Sequence, residues 1–223
     1  MIRVHVLCEG KTEYEFVVKV LYDTFINKGI ELIAHDLGGG FNYEGLRYQI
    51  RQLLNAEKTA YVTTMVDLYG INRRYPNYNE TRHLLPYQKV EQIEAAIEED
   101  VLSKDTVHND KFIPYLQLHE FEALLFANPD LMEEYFSLDY TFRGGCFQEI
   151  RDSYETPEHI NDNPRTAPSK QIIDIIPAYE DLKASQGVLM VSDIGLAKLR
   201  EECKHLDAWL IKLERLAVPS VML

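Results

Sequence analysis

Acidic side chains follow two apolar, β-branched segments of the sequence. Glu9 comes directly after residues 2–8, and Asp67 comes directly after residues 61–66. A carboxylate at the end of a buried strand is costly to bury unless it has a partner, and a divalent cation is the usual partner. Glu13 lies about one helical turn beyond Glu9, so its side chain can return to the same place. The spacing therefore predicts a metal site.

Two of these residues also have an ordinary structural explanation. Glu13 would be favourable in the first turn of a helix, near its positive end. Asp67 would be a typical capping or turn residue ahead of Gly70. Because Glu9 and Asp67 each stand at the end of a predicted strand, their occurrence together favours the metal site over these alternatives.

A third group of polar residues follows the apolar segment 112–118. His119, Glu120 and Glu122 stand there, within residues that predict a short helix. Ligands bind at the carboxyl ends of the strands in open α/β sheets. We therefore expect Glu120 and Glu122 to complete two shells of metal ligands. His119 would orient a carboxylate or a water, or contact the substrate, and an ordinary packed or exposed histidine is the alternative.

The oxygen ligands in this set suit Mg²⁺ or Mn²⁺. Two such ions about 4 Å apart would clamp a scissile phosphate, activating water on one side and stabilising the leaving oxygen on the other. In that arrangement Glu9 would be a ligand or the general base, and Asp67 would be a ligand. Such a pair of ions would serve the hydrolysis of a phosphodiester bond.

Basic residues elsewhere in the sequence are candidates for substrate contacts. Segment 68–86 is long for a loop in an α/β protein. Its Arg73, Arg74 and Arg82 can hold phosphates, and its tyrosines can stack on bases. A surface loop with scattered charge is the alternative. Lys170 could supply the positive group that stabilises transition-state charge, although a lone lysine is usually a solvated one.

The elements that must position these residues alternate along the first half of the chain. Apolar, β-branched runs predict strands, and helical spacing predicts helices between them. Strands are expected at residues 2–8, 30–35, 61–66 and 112–118, and helices at residues 12–27, 43–55, 87–102 and 120–126. This order predicts an α/β fold with a mostly parallel sheet and helices on both of its faces.

Two details qualify these elements. Pro114 weakens the last strand and suggests an edge or a bulge. The exposed face of the helix at residues 87–102 is expected to carry Glu91, Glu94, Glu98 and Glu99.

The second half of the chain has a different pattern. Helical spacing at residues 131–150 is interrupted by two glycines, and three prolines at residues 155–170 predict a long loop. Leucines at residues 196–213 predict an amphipathic helix or a helix pair, for core packing or for docking a partner. We therefore expect an α/β core at residues 1–127 and a helical extension at residues 128–223 that packs on it.

Composition limits the functions that are open to this chain. Its 223 residues carry a formal net charge of −13, so the chain should repel bulk nucleic acid. This counts against a simple DNA-binding module, but less against a metal nuclease, whose ions neutralise an acidic site. The sequence has no run of about 18 apolar residues, so no membrane helix is expected. No signal peptide is expected either. Three widely spaced cysteines argue against a disulfide framework, and a reducing cytoplasm fits best.

The first 125 residues resemble a known domain family. Glu9-Gly10 after an apolar strand, with Glu13 and a later strand that ends at Asp67, looks like the Toprim domain. That domain occurs in type II and type IA topoisomerases, bacterial primases and overcoming-lysogenisation-defect ATPase-nucleases. The whole chain resembles a bacterial domain-of-unknown-function family that is assigned to the Toprim-like group. The segments that carry this second resemblance are residues 118–126, 168–170, 194–196 and 203–209.

The resemblance implies a Toprim-type nuclease that depends on Mg²⁺ or Mn²⁺ and acts on nucleic acid. It also implies an effector role in an anti-phage defence or toxin system, with an ABC-type ATPase as partner. Many Toprim proteins carry Asp-x-Asp after the third strand, but here Tyr69 stands at the second position. Either Glu13, Glu120 or Glu122 replaces the missing carboxylate, or metal binding is weaker or lost. A non-catalytic interaction subunit and a nucleotide-processing phosphotransferase are therefore the alternatives, and a homodimer is left open.

Overall fold

A five-stranded parallel sheet lies at the centre of the computed structural model, which describes residues 1–102, 110–160 and 166–217. The strands are β1 (Ile2–Cys8), β2 (Ile30–Asp36), β3 (Tyr61–Asp67), β4 (Phe112–Ile113) and β5 (Leu116–Gln117). They are ordered β2-β1-β3-β4, and β5 also pairs with β3. All of these pairings are parallel, which confirms the predicted α/β fold.

The registers bring the carboxyl ends of the strands to one edge of the sheet. Cys8 of β1 pairs with Asp36 of β2 and with Met65 of β3. Asp67, the last residue of β3, pairs with Gln117 of β5. The residues that follow these strands therefore meet at the same edge, which is where ligands bind in open α/β sheets.

Helices cover both faces of the sheet, as the sequence predicts. The first helical segment comprises α1 (Lys11–Phe16), a π-helical turn (Val17–Leu21) and α2 (Tyr22–Ile26), and later come α3 (Tyr43–Ala56) and α4 (Pro86–Leu102). Val6 of β1 lies in a buried cluster with Phe16. Leu7, the next residue, lies in a second buried cluster with Ile50 of α3 and Val90 of α4. Alternate residues of β1 thus pack against different helical layers.

The prediction of one continuous fourth strand is wrong, because Pro114 divides it into β4 and β5. A proline has no N–H group to donate to a neighbouring strand. Hydroxyl groups of β3 bridge the interruption instead. Thr63 Oγ1 donates to the carbonyl of Ile113 (2.5 Å), and Thr64 Oγ1 accepts from the N–H of Tyr115 (3.0 Å). The chain therefore stays against β3 until it reaches the carboxyl edge.

Glu94 is buried, so its predicted place on an exposed helical face is wrong. Its Oε1 accepts a hydrogen bond from the N–H of Leu116 in β5 (2.8 Å) and lies 2.9 Å from Nε2 of His205. The N–H of Leu116 points away from β3, because the carbonyl of the next residue, Gln117, accepts from Leu68 (2.8 Å). Glu94 therefore closes the outer side of this edge strand.

The second half of the chain is helical. Its α-helices are α5 (Pro129–Ser137), α6 (Cys146–Asp152), α7 (Pro168–Ile175), α8 (Tyr179–Ile194), α9 (Leu196–Glu202) and α10 (Lys204–Glu214), and shorter 3-10 helices span Phe121–Ala127, Pro157–His159 and Arg215–Ala217. The short helix expected at residues 120–126 is thus a 3-10 helix, and the leucine-spaced segment is a helix pair that breaks at Cys203. The predicted loop at residues 155–170 is wrong in two places, because residues 157–159 form a 3-10 helix and residues 168–170 begin α7. Residues 161–165 lie outside the described residues.

The C-terminal helices share a hydrophobic core with the sheet. Leu206 and Leu210 of α10 lie in the same buried cluster as Val6 of β1. The indole Nε1 of Trp209 donates to Thr63 Oγ1 of β3 (2.9 Å). A boundary at residue 127 between a core and an extension stays a prediction.

Within the described ranges, no helix is long and apolar enough to cross a bilayer. Cys8, Cys146 and Cys203 are buried free thiols. Burial raises the pKa of Cys8 and of Cys203, and thiols of that kind are poor nucleophiles.

Candidate functional site

Glu9 and Asp67 lie side by side at the carboxyl edge of the sheet. The N–H of Glu9 donates to the carbonyl of Met65 (3.0 Å), which extends the contact between β1 and β3 by one residue. The N–H of Asp67 in turn donates to Oε2 of Glu9 (2.9 Å). The Glu9 carboxylate is therefore held across the end of β3.

The Glu9 carboxylate occupies space that is open because Gly70 has no side chain. A Cβ atom at residue 70 would lie 2.9 Å from Oε1 and 3.2 Å from Oε2 of Glu9, closer than non-bonded atoms pack. The N–H of Gly70 donates to the carbonyl of Asp67 (3.0 Å), which fixes this turn after β3. Any side chain at this position would push Glu9 away from its place.

The first turn of α1 directs Glu13 toward the same edge. Its Oε2 accepts a hydrogen bond from the N–H of Gly10 (2.9 Å), and its side chain is buried. Burial raises the pKa of Glu13 to about 7, and the negative charges of Glu9 and Asp36 add to this effect. A pKa in this range would let Glu13 exchange a proton near neutral pH.

The segment after β5 brings two more carboxylates to the edge. Glu120 Oε2 accepts a hydrogen bond from the N–H of Ser169 in the first turn of α7 (3.1 Å). Glu122 is buried in the 3-10 helix that follows β5. Burial raises the pKa of Glu122 to about 7, the charge of Glu120 adds to this, and the charge of Lys183 opposes it.

Asp67 has a buried carboxylate oxygen, Oδ1, that no hydrogen-bond donor among the described residues reaches. Burial raises the pKa of Asp67 well above its usual range, and the charges of Glu13, Glu9, Glu122 and Glu120 raise it further. A buried oxygen without a partner is costly and calls for a specific explanation. The explanation that the surrounding charges suggest is a cation ligand.

We call Glu9, Glu13, Asp67, Glu120 and Glu122 the carboxylate cluster. Its oxygen donors are those that hard divalent cations prefer, and such a cation would relieve the repulsion between the carboxylates. Across residues 1–102, 110–160 and 166–217, however, no three His, Cys, Asp or Glu side chains are arranged so that they could together hold a metal ion. Mg²⁺ commonly binds through one or two carboxylates and keeps several waters. The cluster therefore fits such an ion without enclosing it.

Two lysines lie near this part of the molecule, in different roles. Nζ of Lys170 is 3.6 Å from Oε2 of Glu180, and a catalytic role for Lys170 stays a prediction. Lys183 of α8 is instead the cation whose charge acts on Glu122. Residues 183 and 187 share a face of α8, and a Cβ atom at Gly187 would lie 3.7 Å from the ring of Phe121. That face therefore packs against the 3-10 helix that carries Glu122.

The basic loop between β3 and α4 begins beside the carboxylate cluster, because Gly70 lies against Glu9. Its Tyr75 is buried, and burial together with the charge of Glu9 raises the pKa of Tyr75. The three arginines in this loop are exposed at residues 73, 74 and 82. The guanidinium carbon of Arg82 lies 5.2 Å from the ring centre of Tyr78. Phosphate contacts from Arg73, Arg74 and Arg82 stay a prediction.

His119 forms the sharp turn between β5 and the following 3-10 helix. Its φ of 64° is in the left-handed region, which is uncommon for a residue with a side chain. Its carbonyl accepts a hydrogen bond from the N–H of Tyr69 (2.9 Å), which joins this turn to the one after β3. The side chain is 6% exposed, and a contact with the substrate stays a prediction.

Sequence reasoning missed Asp36 and Lys183. Asp36 ends β2 at the same edge as the cluster, and its charge contributes to the raised pKa of Glu13. An acid at the end of an apolar strand is the signal that singled out Glu9 and Asp67, so Asp36 was within reach of the same reasoning. Lys183 had no such signal, because the helix that carries it was not predicted.

The chain matches one family model, and it is similar to solved structures at low sequence identity. The family model described as "Domain of unknown function (DUF4276)" matches residues 8–214. Among solved structures, the chain is similar to the C-terminal region of the Burkholderia pseudomallei OLD protein, with 11% identity, a TM-score of 0.47, and coverage of 96% of this chain and 99% of that chain. It is also similar to the C-terminal region of the Xanthomonas campestris pv. campestris OLD protein phased with mercury, with 14% identity, a TM-score of 0.42, and coverage of 95% and 98%. A search of curated proteins gives no match.

Proposed function

The chain belongs to the DUF4276 family, and from that premise we propose that it is a Toprim-type nuclease that needs a divalent metal ion to hydrolyse phosphodiester bonds. The observation that carries this proposal is the carboxylate cluster at the carboxyl edge of a parallel sheet. Within it, Asp67 Oδ1 is buried without a donor among the described residues. Such a group of acids is poorly explained as a structural feature, because burial and mutual repulsion both oppose its charge.

Each member of the cluster has a role in this proposal. Glu9 and Asp67 would hold the metal, and Glu13, Glu120 and Glu122 would complete its surroundings. Bound Mg²⁺ or Mn²⁺ would polarise the phosphoryl oxygens and lower the pKa of a water ligand. Glu13 and Glu122, whose pKa values burial raises to about 7, are the acids suited to exchange a proton at neutral pH.

Nucleic acid is the proposed substrate, although the chain carries a net charge of −13. The loop that carries exposed arginines at residues 73, 74 and 82 starts beside the cluster at Gly70, and we propose that these arginines contact the phosphate backbone locally. Binding through these arginines should weaken with salt in proportion to the number of phosphates that they contact.

The biological setting of the proposal rests on the sequence resemblance. Toprim nucleases of the overcoming-lysogenisation-defect type are joined to an ATPase. We therefore propose that this chain works in the cytoplasm as the effector of an anti-phage defence or toxin system, together with an ABC-type ATPase.

The direct test is cleavage by the purified chain. Supercoiled plasmid, linear duplex DNA and single-stranded RNA would each be incubated with Mg²⁺, with Mn²⁺ or with EDTA. We expect cleavage of at least one substrate with a metal, none with EDTA, and a loss of at least about 100-fold in Glu9→Gln. Glu91→Gln, an exposed position on α4, is the matched control. Equal cleavage by Glu9→Gln and the wild type would rule out this site.

A second function has a specific observation in its favour. Tyr69 replaces the second acid of Asp-x-Asp, and the described residues hold no ready-made metal cage. These features suit an interaction subunit that keeps the fold without the chemistry. Calorimetric titration with Mn²⁺ separates the two functions, because an interaction subunit would show no binding that Asp67→Asn removes.

A further inference from the structure

The two edges of the sheet are finished in different ways. At one edge, Pro114 interrupts the strand and Glu94 caps the outward N–H of Leu116 (2.8 Å). At the other edge lies β2, and none of the described strands pairs with its outer side. An open strand edge presents unpaired backbone groups and is a template for another strand.

The backbone groups that β2 presents at this edge can be identified. The carbonyl of Gly29 accepts a hydrogen bond from the N–H of Ile2 (2.9 Å), and the N–H of Leu37 donates to the carbonyl of Cys8 (3.0 Å). The backbone groups of residues 29 and 37 therefore both face β1. Backbone groups alternate along a strand, and the odd-numbered residues between them therefore face β1 as well. The outward groups are those of Ile30, Leu32, Ala34 and Asp36.

The β2 edge carries the charged residues Glu31 and Asp36, but it lacks several other features that usually prevent association. It pairs with β1 without interruption from residue 30 to residue 36, so it has no bulge. Its sequence, Ile-Glu-Leu-Ile-Ala-His-Asp, contains no proline and no lysine, which are the residues that commonly protect an edge. Ile30 and Leu32 are anchored in the core beneath it. The edge is therefore regular and firmly held.

We propose that β2 is the dimer interface of this protein, pairing antiparallel with β2 of a second copy about a two-fold axis at Ile33. In this register Leu32 pairs with Ala34 of the second copy, and Ile30 pairs with Asp36. All four outward residues then exchange hydrogen bonds, which is the pattern of hydrogen-bonded pairs in an antiparallel ladder. A shift of the register by two residues in either direction would leave one end unpaired.

Side chains agree with this register. Glu31 falls opposite His35 of the second copy, in a non-hydrogen-bonded pair where side chains are closest. His35 uses Nε2 for its 2.8 Å contact with His5, so Nδ1 is the atom that it would offer to the carboxylate. Arg3 lies 3.2 Å from Glu31 on the same face. The strand is thus complementary to itself, which an isologous interface requires.

The dimer goes beyond the proposed nuclease and does not depend on it. Two antiparallel copies of β2 would join the sheets into one continuous sheet. The carboxyl edges of the two halves would then point in opposite directions, so the two carboxylate clusters would be far apart. Each cluster would be complete within its own chain.

Cysteine cross-linking tests both the interface and its register. Ile33 would face itself across the axis at a Cα separation of about 4.5 Å, which a disulfide can span. Ala34 would be about 9 Å from its own copy, beyond that reach. We expect oxidised Ile33→Cys to form a covalent dimer and Ala34→Cys to stay largely uncrosslinked. The native thiols Cys8, Cys146 and Cys203 are buried, and the wild type reports their background.

Light scattering after size exclusion tests the association itself. We expect the wild type to elute as a dimer, and Ala34→Lys to shift toward the monomer by at least about tenfold in dissociation constant. Gln52→Lys, an exposed position on α3, adds the same charge away from the edge and should leave the dimer intact. A monomeric wild type, or cross-linking at residue 34 in place of residue 33, would overturn the proposal. A thermal melt shows that each variant is folded.

Discussion

The backbone N–H of Asp67 donates a 2.9 Å hydrogen bond to Oε2 of Glu9. This bond joins the end of β3 to the residue after β1 through the main chain of Asp67, so it does not use the Asp67 carboxylate. Oδ1 of that carboxylate has no donor among the described residues. Changes to the Asp67 side chain should therefore affect metal binding more than folding.

We predict that Asp67→Asn weakens Mn²⁺ binding and nucleic-acid cleavage by at least about tenfold, because an amide dipole does not replace a charged oxygen ligand. The metal-free variant should melt at an equal or higher temperature, since the substitution relieves repulsion within the cluster. Isothermal titration and a thermal melt measure the two effects, with Asp139→Asn as an exposed control. A collapsed melting transition would show that Asp67 is needed for folding.

We predict that the metal-free protein loses stability as the pH rises from about 5 to about 8. Burial raises the pKa of Glu13 and Glu122 from 4.5 to about 7, so the folded chain binds more protons than the unfolded chain within this window. Stability from these groups is therefore fully present below about pH 4.5 and is lost as the pH rises through 7. We expect the melting temperature to fall by at least about 4 °C.

Three further melts identify the source of that pH dependence. Glu122→Gln should flatten the slope, whereas Glu91→Gln should keep it. Saturating Mn²⁺ should also reduce the slope, because the cation favours the ionised carboxylates. A slope that is the same in all four samples would place the titrating groups elsewhere.

We predict that Gly70→Ala reduces metal affinity by about tenfold or more while the protein stays folded. The added Cβ would lie 2.9 Å from Oε1 of Glu9, so the carboxylate must move away from Asp67. Gly144→Ala is the matched control, because the nearest atom to its Cβ, Oε2 of Glu133, is 3.9 Å away. Mn²⁺ titration of both variants is the measurement, and equal affinities would mean that Glu9 has room to move without cost.

We predict that Lys183→Met shifts the pH profile of cleavage upward, because Lys183 opposes the rise in the pKa of Glu122. Cleavage at pH 7 should fall by about tenfold and recover partly at pH 8.5, and Lys183→Arg should restore the original profile. Lys170→Met serves as the comparison, since Lys170 pairs with Glu180. A larger loss of cleavage in Lys170→Met than in Lys183→Met would instead support a catalytic role for Lys170.

We predict that Glu94→Ala destabilises the protein by about 1–3 kcal/mol, because it leaves the buried N–H of Leu116 and the ring of His205 without this acceptor. Glu98→Ala, one turn further along α4, should cost less than about 0.5 kcal/mol. Urea unfolding of both variants measures the difference. A small effect at both positions would mean that water replaces the carboxylate at the edge of β5.

The sequence by itself determined three strands of the sheet and the acids Glu9 and Asp67 at its edge. Apolar runs of residues 2–8, 30–35 and 61–66 became β1, β2 and β3 with bounds within a residue of the prediction. Strand formation depends on local period and composition, and the carboxyl ends of parallel strands must share an edge. Glu9 and Asp67 could therefore be identified from the sequence alone. Glu13 could be added because it lies about one helical turn beyond Glu9.

Only the tertiary structure decided which distant groups meet these acids. Thr63 and Thr64 bridge the interruption at Pro114, which no local pattern encodes. Glu94 is buried because α4 lies against the end of β5, and Lys183 acts on Glu122 because α8 packs on the 3-10 helix. Spacing along one element shows which residues share a face, but the element that covers that face is chosen by packing between segments far apart in sequence.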